Sequence, residues 1–307
     1  MISNFFSQSK PINFVAVSVF LLIIFAITKY MALDTQSDTL LIVKQVLLFG
    51  ICLFSIFVFD FLVNKNNLTK NNSYKILLYV LFIAVLPEVL LNSKILLANL
   101  FILLALRRII SLRSKKDIKK KLFDAAFWIT IASLLYFWAI LFYILIVAAL
   151  IVFIITDIKN WVIPIIGIAT VAIIAVSYMI ITNIEIYDFF DKLIDLSFDF
   201  SSLNSKRIII GATVLLSFGA WSLFYYIKNL KSKTKSSRPS FSLIVIAAVL
   251  SLAIIIVSPN KSGSEFIFLF APLAIIMTNY LEVVSEKWFK ESLLWVLILT
   301  PIITLLL

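Results

Sequence analysis

From Leu122 to Thr156 the chain reads LFDAAFWITIASLLYFWAILFYILIVAALIVFIIT, with Asp124 as its only charge. No soluble domain could hide that much uninterrupted apolar surface, and the rest of the sequence resembles it. Hydrophobic residues fill 63% of the 307 positions and charged residues 14%, against roughly 45–50% and about 25% in soluble domains. A bilayer must therefore solvate the chain, and backbone inside a bilayer has to satisfy its own hydrogen bonds, which makes the spans helical. A span needs about 20 apolar residues. Eleven segments are expected to cross, near 12–32, 40–63, 76–91, 95–112, 122–137, 139–156, 161–182, 208–227, 241–258, 266–281 and 291–307. The fold expected is an all-α polytopic membrane protein, residues 1–307 forming one integral membrane domain without internal repeat.

Orientation follows from the tendency of Lys and Arg to remain on the cytoplasmic side. With the N-terminus inside, all but seven of the 27 basic residues fall in cytoplasmic segments; the exceptions are Lys29, Lys44, Lys94, Lys192, Lys206, Arg207 and Lys261. The same asymmetry decides the Leu122–Thr156 run. A single long helix would send the basic loop 228–240 outward and the acidic segment 183–204 inward. Two short helices turning near Tyr136 to Trp138 keep the polarity consistent. The expectation is a multi-pass protein with a cytoplasmic N-terminus and a C-terminus on the outer side. The first apolar run has no small-residue cleavage site after it and reads as a span rather than a signal peptide.

Composition also removes functions. Histidine is absent, so imidazole bases, Ser-His-Asp arrangements and histidine metal sites are excluded. Cys52, the single cysteine, reads as a small apolar packing residue. Five glycines leave no phosphate-cradling loop, and they suggest few close helix approaches. No ionisable residue falls near the middle of an expected span, which argues against coupled transport. The net charge of +11 does not imply nucleic acid. Its largest runs, RRIISLRSKKDIKKK in loop 106–121 and KNLKSKTKSSRPS in loop 228–240, adjoin span ends, where basic clusters meet anionic lipid heads and fix topology.

Polar chemistry gathers on the outer side. In NIEIYDFFDKLIDLSFDFSSLN, Glu185, Asp188, Asp191, Asp195 and Asp199 are spaced by three, three, four and four residues. On a helix they would form one face, predicting an amphipathic interfacial helix that is either a solvated face or a docking face for a basic partner. Asp34 and Asp38 follow the first span; Lys94 and Lys261 stand at other outer loops. Around one membrane mouth, such carboxylates supply a base and such lysines neutralise a lipid phosphate.

Three stretches, LLANLFILLALRRIISL, KLFDAAFWITIASLLYFWAILFYILIVAAL and IKNWVIPIIGIATVAIIAV, together resemble the central helices of the GT-C superfamily of polyprenyl-phosphate-sugar glycosyltransferases. NKSGSEFIFLFAPLAIIMTNYLE is similar to its closing spans, with Lys261 and Pro272 in matching places. The whole chain also looks like an uncharacterised family of Bacteroidota inner-membrane proteins. The GT-C resemblance implies Asp34, assisted by Asp38, as base or metal-holding acid, and Lys261 with Lys94 as lipid-phosphate ligands. A divalent metal enters only with that activity; otherwise no cofactor is expected. The chain departs from the superfamily where a Thr-Lys pair often occupies the hairpin, for Tyr136 and Phe137 stand there, and its first outer loop runs only from about 33 to 39. Three functions stay open: a non-catalytic component of an envelope assembly, an outer-leaflet glycosyltransferase, and a flippase or transporter without charged coupling residues. The partners implied are membrane lipids, an envelope protein and a polyprenyl-phosphate lipid, with no nucleic acid.

Overall fold

The computed structural model of the chain describes residues 2–32, 39–183, 196–259 and 261–306. Twelve α-helices account for most of them: α1 Ile2–Phe6, α2 Pro11–Ala32, α3 Thr39–Asn66, α4 Tyr74–Val85, α5 Ser93–Ile110, α6 Ile118–Leu135, α7 Tyr143–Val152, α8 Ile158–Ile181, α9 Lys206–Leu230, α10 Arg238–Val257, α11 Ile267–Val283 and α12 Lys287–Leu306. No strand occurs among the described residues. Each of the eleven segments expected to cross overlaps a helix, but 76–91 runs beyond the end of α4 and 139–156 starts before α7. Among the described residues, seven helices rather than eleven are long and apolar enough to span a membrane, within Pro11–Met31, Thr39–Asn66, Ser93–Ser114, Ile158–Ile181, Lys206–Leu230, Arg238–Val257 and Ser264–Val283. Two further apolar helical stretches, Tyr74–Val85 and Phe137–Val152, are shorter.

α4 shows why length alone misleads. Its 12 residues rise about 18 Å, well short of a hydrocarbon core of about 30 Å. Every one of those residues is buried, so α4 is shielded by its neighbours and need not match the lipid. Pro87 ends it: Leu86, which precedes the proline, leaves helical geometry at φ −126° and ψ 75°, as the ring of a following proline requires. α11 packs beside α4 and is also buried along most of its length. Aromatic rings fill the space between them. Phe59 stacks on Tyr79 at 5.0 Å, and Phe270 meets both Tyr79 and Phe82 edge-on at 6.4 and 5.8 Å. The Tyr79 hydroxyl accepts a hydrogen bond from Asn99 of α5 at 3.0 Å. The centre is packed side chain, not an aqueous path.

The run Leu122–Thr156 is a hairpin. α6 ends at Leu135, Tyr136 is extended (φ −149°, ψ 102°), and a 3₁₀ turn over Phe137–Phe142 leads into α7. Tyr143 of α7 reaches back to α6, bonding Thr130 Oγ1 and the Ala126 carbonyl. The two legs are therefore antiparallel.

Hydrogen bonds tie the basic loops to one end of the bundle. Arg113 donates to the Asn66 carbonyl and to Ser236; the Lys70 amide donates to Glu282; Ser3 donates twice to Glu291. The 86–92 turn, Tyr136, and segments 196–208 and 258–266 meet at the other end. Two expectations are corrected. Glycine is scarce but not idle. A β-carbon at Gly167, Gly211 or Gly219 would lie 2.8 Å from a neighbouring helix's atoms, so three of the five mark tight crossings. Of the amphipathic helix expected over 183–204, residues 184–195 lie outside the described residues, and 196–200 are not helical but irregular before a 3₁₀ turn at Ser201–Leu203. There Asp199 turns back to accept from the Ser201 amide and hydroxyl, both at 2.9 Å, a local bond that competes with helix.

Candidate functional site

The end of the bundle opposite the basic loops is built from three turns. In the first, Pro87–Leu90 forms a 3₁₀ turn, and Asn92 then caps α5 by accepting from the Lys94 and Ile95 amides at 3.1 and 3.2 Å. In the second, Ser205 caps α9 through the Ile208 amide, which places Arg207 in the first turn of that helix. The third is the loop from Ser258 to Ser264. Gly263 adopts φ +84° there, a conformation that costs a residue with a β-carbon. It lets the loop close over Ile208 and Glu88, and Ser264 Oγ donates to the Glu88 carbonyl at 3.0 Å.

Lys261 and Glu265, the unexpected charges of this loop, are both occupied. The Lys261 side chain is buried, with 2% of the residue exposed. Its ammonium donates to the Ser197 carbonyl at 2.5 Å and the Ser258 carbonyl at 2.7 Å, and sits 4.6 Å from the Phe200 ring. Glu265 accepts from the Ser262 amide and hydroxyl, each bond 3.3 Å. The loop thus uses Lys261 to hold segment 197–200 and Glu265 to hold itself. Tyr136, at the hairpin tip, joins through Ser258 Oγ at 2.7 Å.

Beside these turns lies a cleft of about 190 Å³ between α2, the 86–92 turn, α9 and α12. Ile24, Ile27, Met31 and Leu91 give it apolar walls; Glu88 and Arg207 supply its charge. Arg207 Nη1 is 3.9 Å from Glu88 Oε1, and only 15% of the Glu88 side chain is exposed. Glu88 Oε2 is buried without a hydrogen-bond partner. Burial, set against weaker help from Arg207, raises the Glu88 pKa above the usual carboxylate range. Chemically the cleft suits an amphiphile, with methylenes against the walls and an anionic group at the guanidinium. Because the folded pKa is raised, the contribution of Glu88 to stability is present in acid and is lost as pH rises through that pKa. Glu88→Gln is therefore expected to raise the melting temperature at neutral pH and leave it unchanged below the carboxylate range; thermal unfolding in detergent at the two pH values checks this.

The residues singled out by sequence are not gathered at one place. Asp34, Asp38, Glu185, Asp188, Asp191 and Asp195 lie outside the described residues. Lys94 is exposed at the start of α5, and Lys261 is committed to two carbonyls. Asp199 is exposed, and its bonds from the Ser201 backbone and hydroxyl lower its pKa. The sequence places Glu88 and Arg207 among the outer polar residues but does not pair them, since nothing in one-dimensional spacing joins a turn at 88 to a helix start at 207. No group of three or more Cys, Asp or Glu side chains among the described residues forms a metal site.

At the basic end, sequence missed a polar network. Lys75, with 0% of its side chain exposed, lies 3.2 Å from Asp60 and donates to Asn64 Oδ1 at 2.7 Å and the Asn72 carbonyl at 3.0 Å. Glu282 accepts from the Lys70 amide and Asn72 at 2.7 and 2.6 Å. Asn279 bridges the Leu68 carbonyl and Lys233. The only trace of this in sequence is the i, i+4 pair Asp60 and Asn64, bonded at 2.8 Å.

These features define a polytopic α-helical membrane protein with a packed core and a polar cleft at one end. The model of a family of unknown function, DUF6427, matches residues 4–306, and the chain belongs to that family. No curated protein and no solved structure matches it.

Proposed function

We propose that this is a non-catalytic component of a bacterial inner-membrane envelope assembly, with a GT-C-like arrangement of helices, that presents the acidic segment 183–204 to a basic partner. The observation that carries the reading is Lys261. Its ammonium is consumed by the Ser197 and Ser258 carbonyls, which pins the end of the acidic segment to the bundle instead of leaving a cation for substrate. A pinned segment loses less conformational freedom on docking, and so binds better. The test replaces Asp188, Asp191 and Asp195 together with Asn in cells, and places a photo-crosslinker at 190. A discrete adduct lost in the triple variant, with the growth defect of a deletion and normal membrane level, is the expected result. A wild-type phenotype without any adduct would sink the assembly role.

The Glu88–Arg207 cleft favours a second reading, an outer-leaflet transferase using a polyprenyl-phosphate sugar. Arg207 would hold the lipid phosphate, and the apolar walls the prenyl chain. Asp34 would serve as base, since Met31, three residues before it, lines the cleft. Under this reading Asp34→Asn and Arg207→Gln each abolish function at normal membrane level, while the acidic triple variant does not. The flippase reading draws no support from a bundle centre filled by Tyr79, Phe82 and Phe270.

A further inference from the structure

At the basic end, the last turns of α3 and α5, the 3₁₀ turn Ser111–Ser114 and the start of α6 enclose a pocket of about 480 Å³. Lys65, Arg107, Arg108, Arg113 and Lys121 line it, with Asp117 as the one carboxylate. Arg108 is neutralised by Asp124 at 2.7 Å. The other four cations have no ion-pair partner among the described residues. Arg113 and Lys121 donate to the protein, to Asn66, Ser111, Ser114 and Ser236. Lys65 and Arg107 instead crowd one ring: the Lys65 ammonium is 5.3 Å, and the Arg107 guanidinium 4.7 Å, from the centroid of Phe61. Neither cation has a carboxylate within ion-pair distance among the described residues, so an anion placed near both would be attracted by each.

Lys115 and Asp117 both have left-handed backbones, at φ 52° and 51°, and Asp117 makes no side-chain cap on α6.

What separates a lipid from a free anion is the surface leading away from the pocket. Phe54, Phe57, Phe61 and Lys65 recur at steps of three, four and four along α3 and so share one face. The three rings are exposed, by 50%, 56% and 37%, and Phe54 stacks on Phe57 at 6.5 Å. This face belongs to the spanning helix Thr39–Asn66, so the aromatic stripe lies at hydrocarbon depth and ends at the cations, at the height of a headgroup.

We infer that this pocket is a specific site for an anionic membrane phospholipid, its phosphate held between Lys65 and Arg107 and one acyl chain lying along Phe61, Phe57 and Phe54. A cation in contact with the headgroup contributes about fivefold to anionic-lipid binding. The test delipidates the full chain in neutral detergent and titrates phosphatidylglycerol, phosphatidylcholine or inorganic phosphate, following retained lipid by native mass spectrometry and melting temperature. Phosphatidylglycerol is expected to bind and raise the melting temperature. Phosphatidylcholine should bind much more weakly, and inorganic phosphate should neither bind nor displace the lipid. Lys65→Gln should weaken lipid binding by roughly fivefold, and Lys65→Gln with Arg107→Gln by roughly the square of that. Lys119→Gln with Lys120→Gln, two exposed cations in the first turn of α6 outside the pocket, should change little. Lys65 is itself exposed, so its single variant tests the site even if the double variant folds poorly. Equal losses in the pocket and control variants, equal binding of the two lipids, or displacement by inorganic phosphate would each overturn the assignment.

Discussion

Replacing Asp60 with alanine is expected to cost the bundle about 3 kcal/mol, because it strands the ammonium of Lys75. That group has no exposed surface at all, and Asp60, 3.2 Å away and 30% exposed, is the carboxylate that neutralises it. Asn64 and the Asn72 carbonyl would still solvate the cation, which keeps the loss at the lower end of the usual range for a broken buried pair. Removing both charges together should be far milder. In Lys75→Met with Asp60→Leu the desolvation cost disappears with the attraction, and an isosteric apolar pair is often neutral or better. Unfolding in increasing denaturing detergent measures all three proteins. A double variant as unstable as Asp60→Ala would show that the two residues do not act as a pair, and that the Asn72 loop matters instead.

The contrast between Lys75 and Lys261 shows what a sequence of this kind can convey. Apolar runs and the lopsided placement of Lys and Arg convey an all-helical, multi-pass chain and the turn at Tyr136, because these depend on local composition and on one boundary, the bilayer. The fate of a single charge depends on which turns meet it. Lys75 reads as one more solvated cation in a basic loop, yet α4 is so short that its first turn is drawn into the protein, where Asp60 meets it. Lys261 reads as a phosphate ligand at a polar rim. Yet segment 197–200, more than fifty residues earlier in the chain, folds over it. Glu88 and Arg207 share the same lesson, since their pairing is made by the α4–α9 crossing and no periodicity records it. Glycine count misleads for a related reason. Helix contact needs a small residue only where two axes come closest, and one well-placed glycine per crossing is enough.

That crossing supplies the second large effect. Gly211 of α9 faces the end of α4, where an added β-carbon would lie 2.8 Å from the Val85 carbonyl oxygen and 2.8 Å from Leu86 Cδ2. Leu86 can swing aside, but a backbone oxygen at the terminus of a fully buried helix cannot, so α9 must move away. Gly211→Val is expected to lose about 3 kcal/mol, the upper part of the overpacking range. It should also draw Arg207 from Glu88, which removes a charge that favours the carboxylate, so that Glu88→Gln raises the neutral-pH melting temperature more in that background. Gly50 provides the control, for a β-carbon there meets nothing within 4 Å. On an exposed helix face the side chain relieves glycine's entropic cost, and Gly50→Ala should gain up to about 1 kcal/mol. The two substitutions differ in sign because one glycine is a contact and the other only a gap. If Gly211→Val melted with the wild type, α4 and α9 would not approach this closely, and the pairing of Glu88 with Arg207 that depends on it would be lost as well.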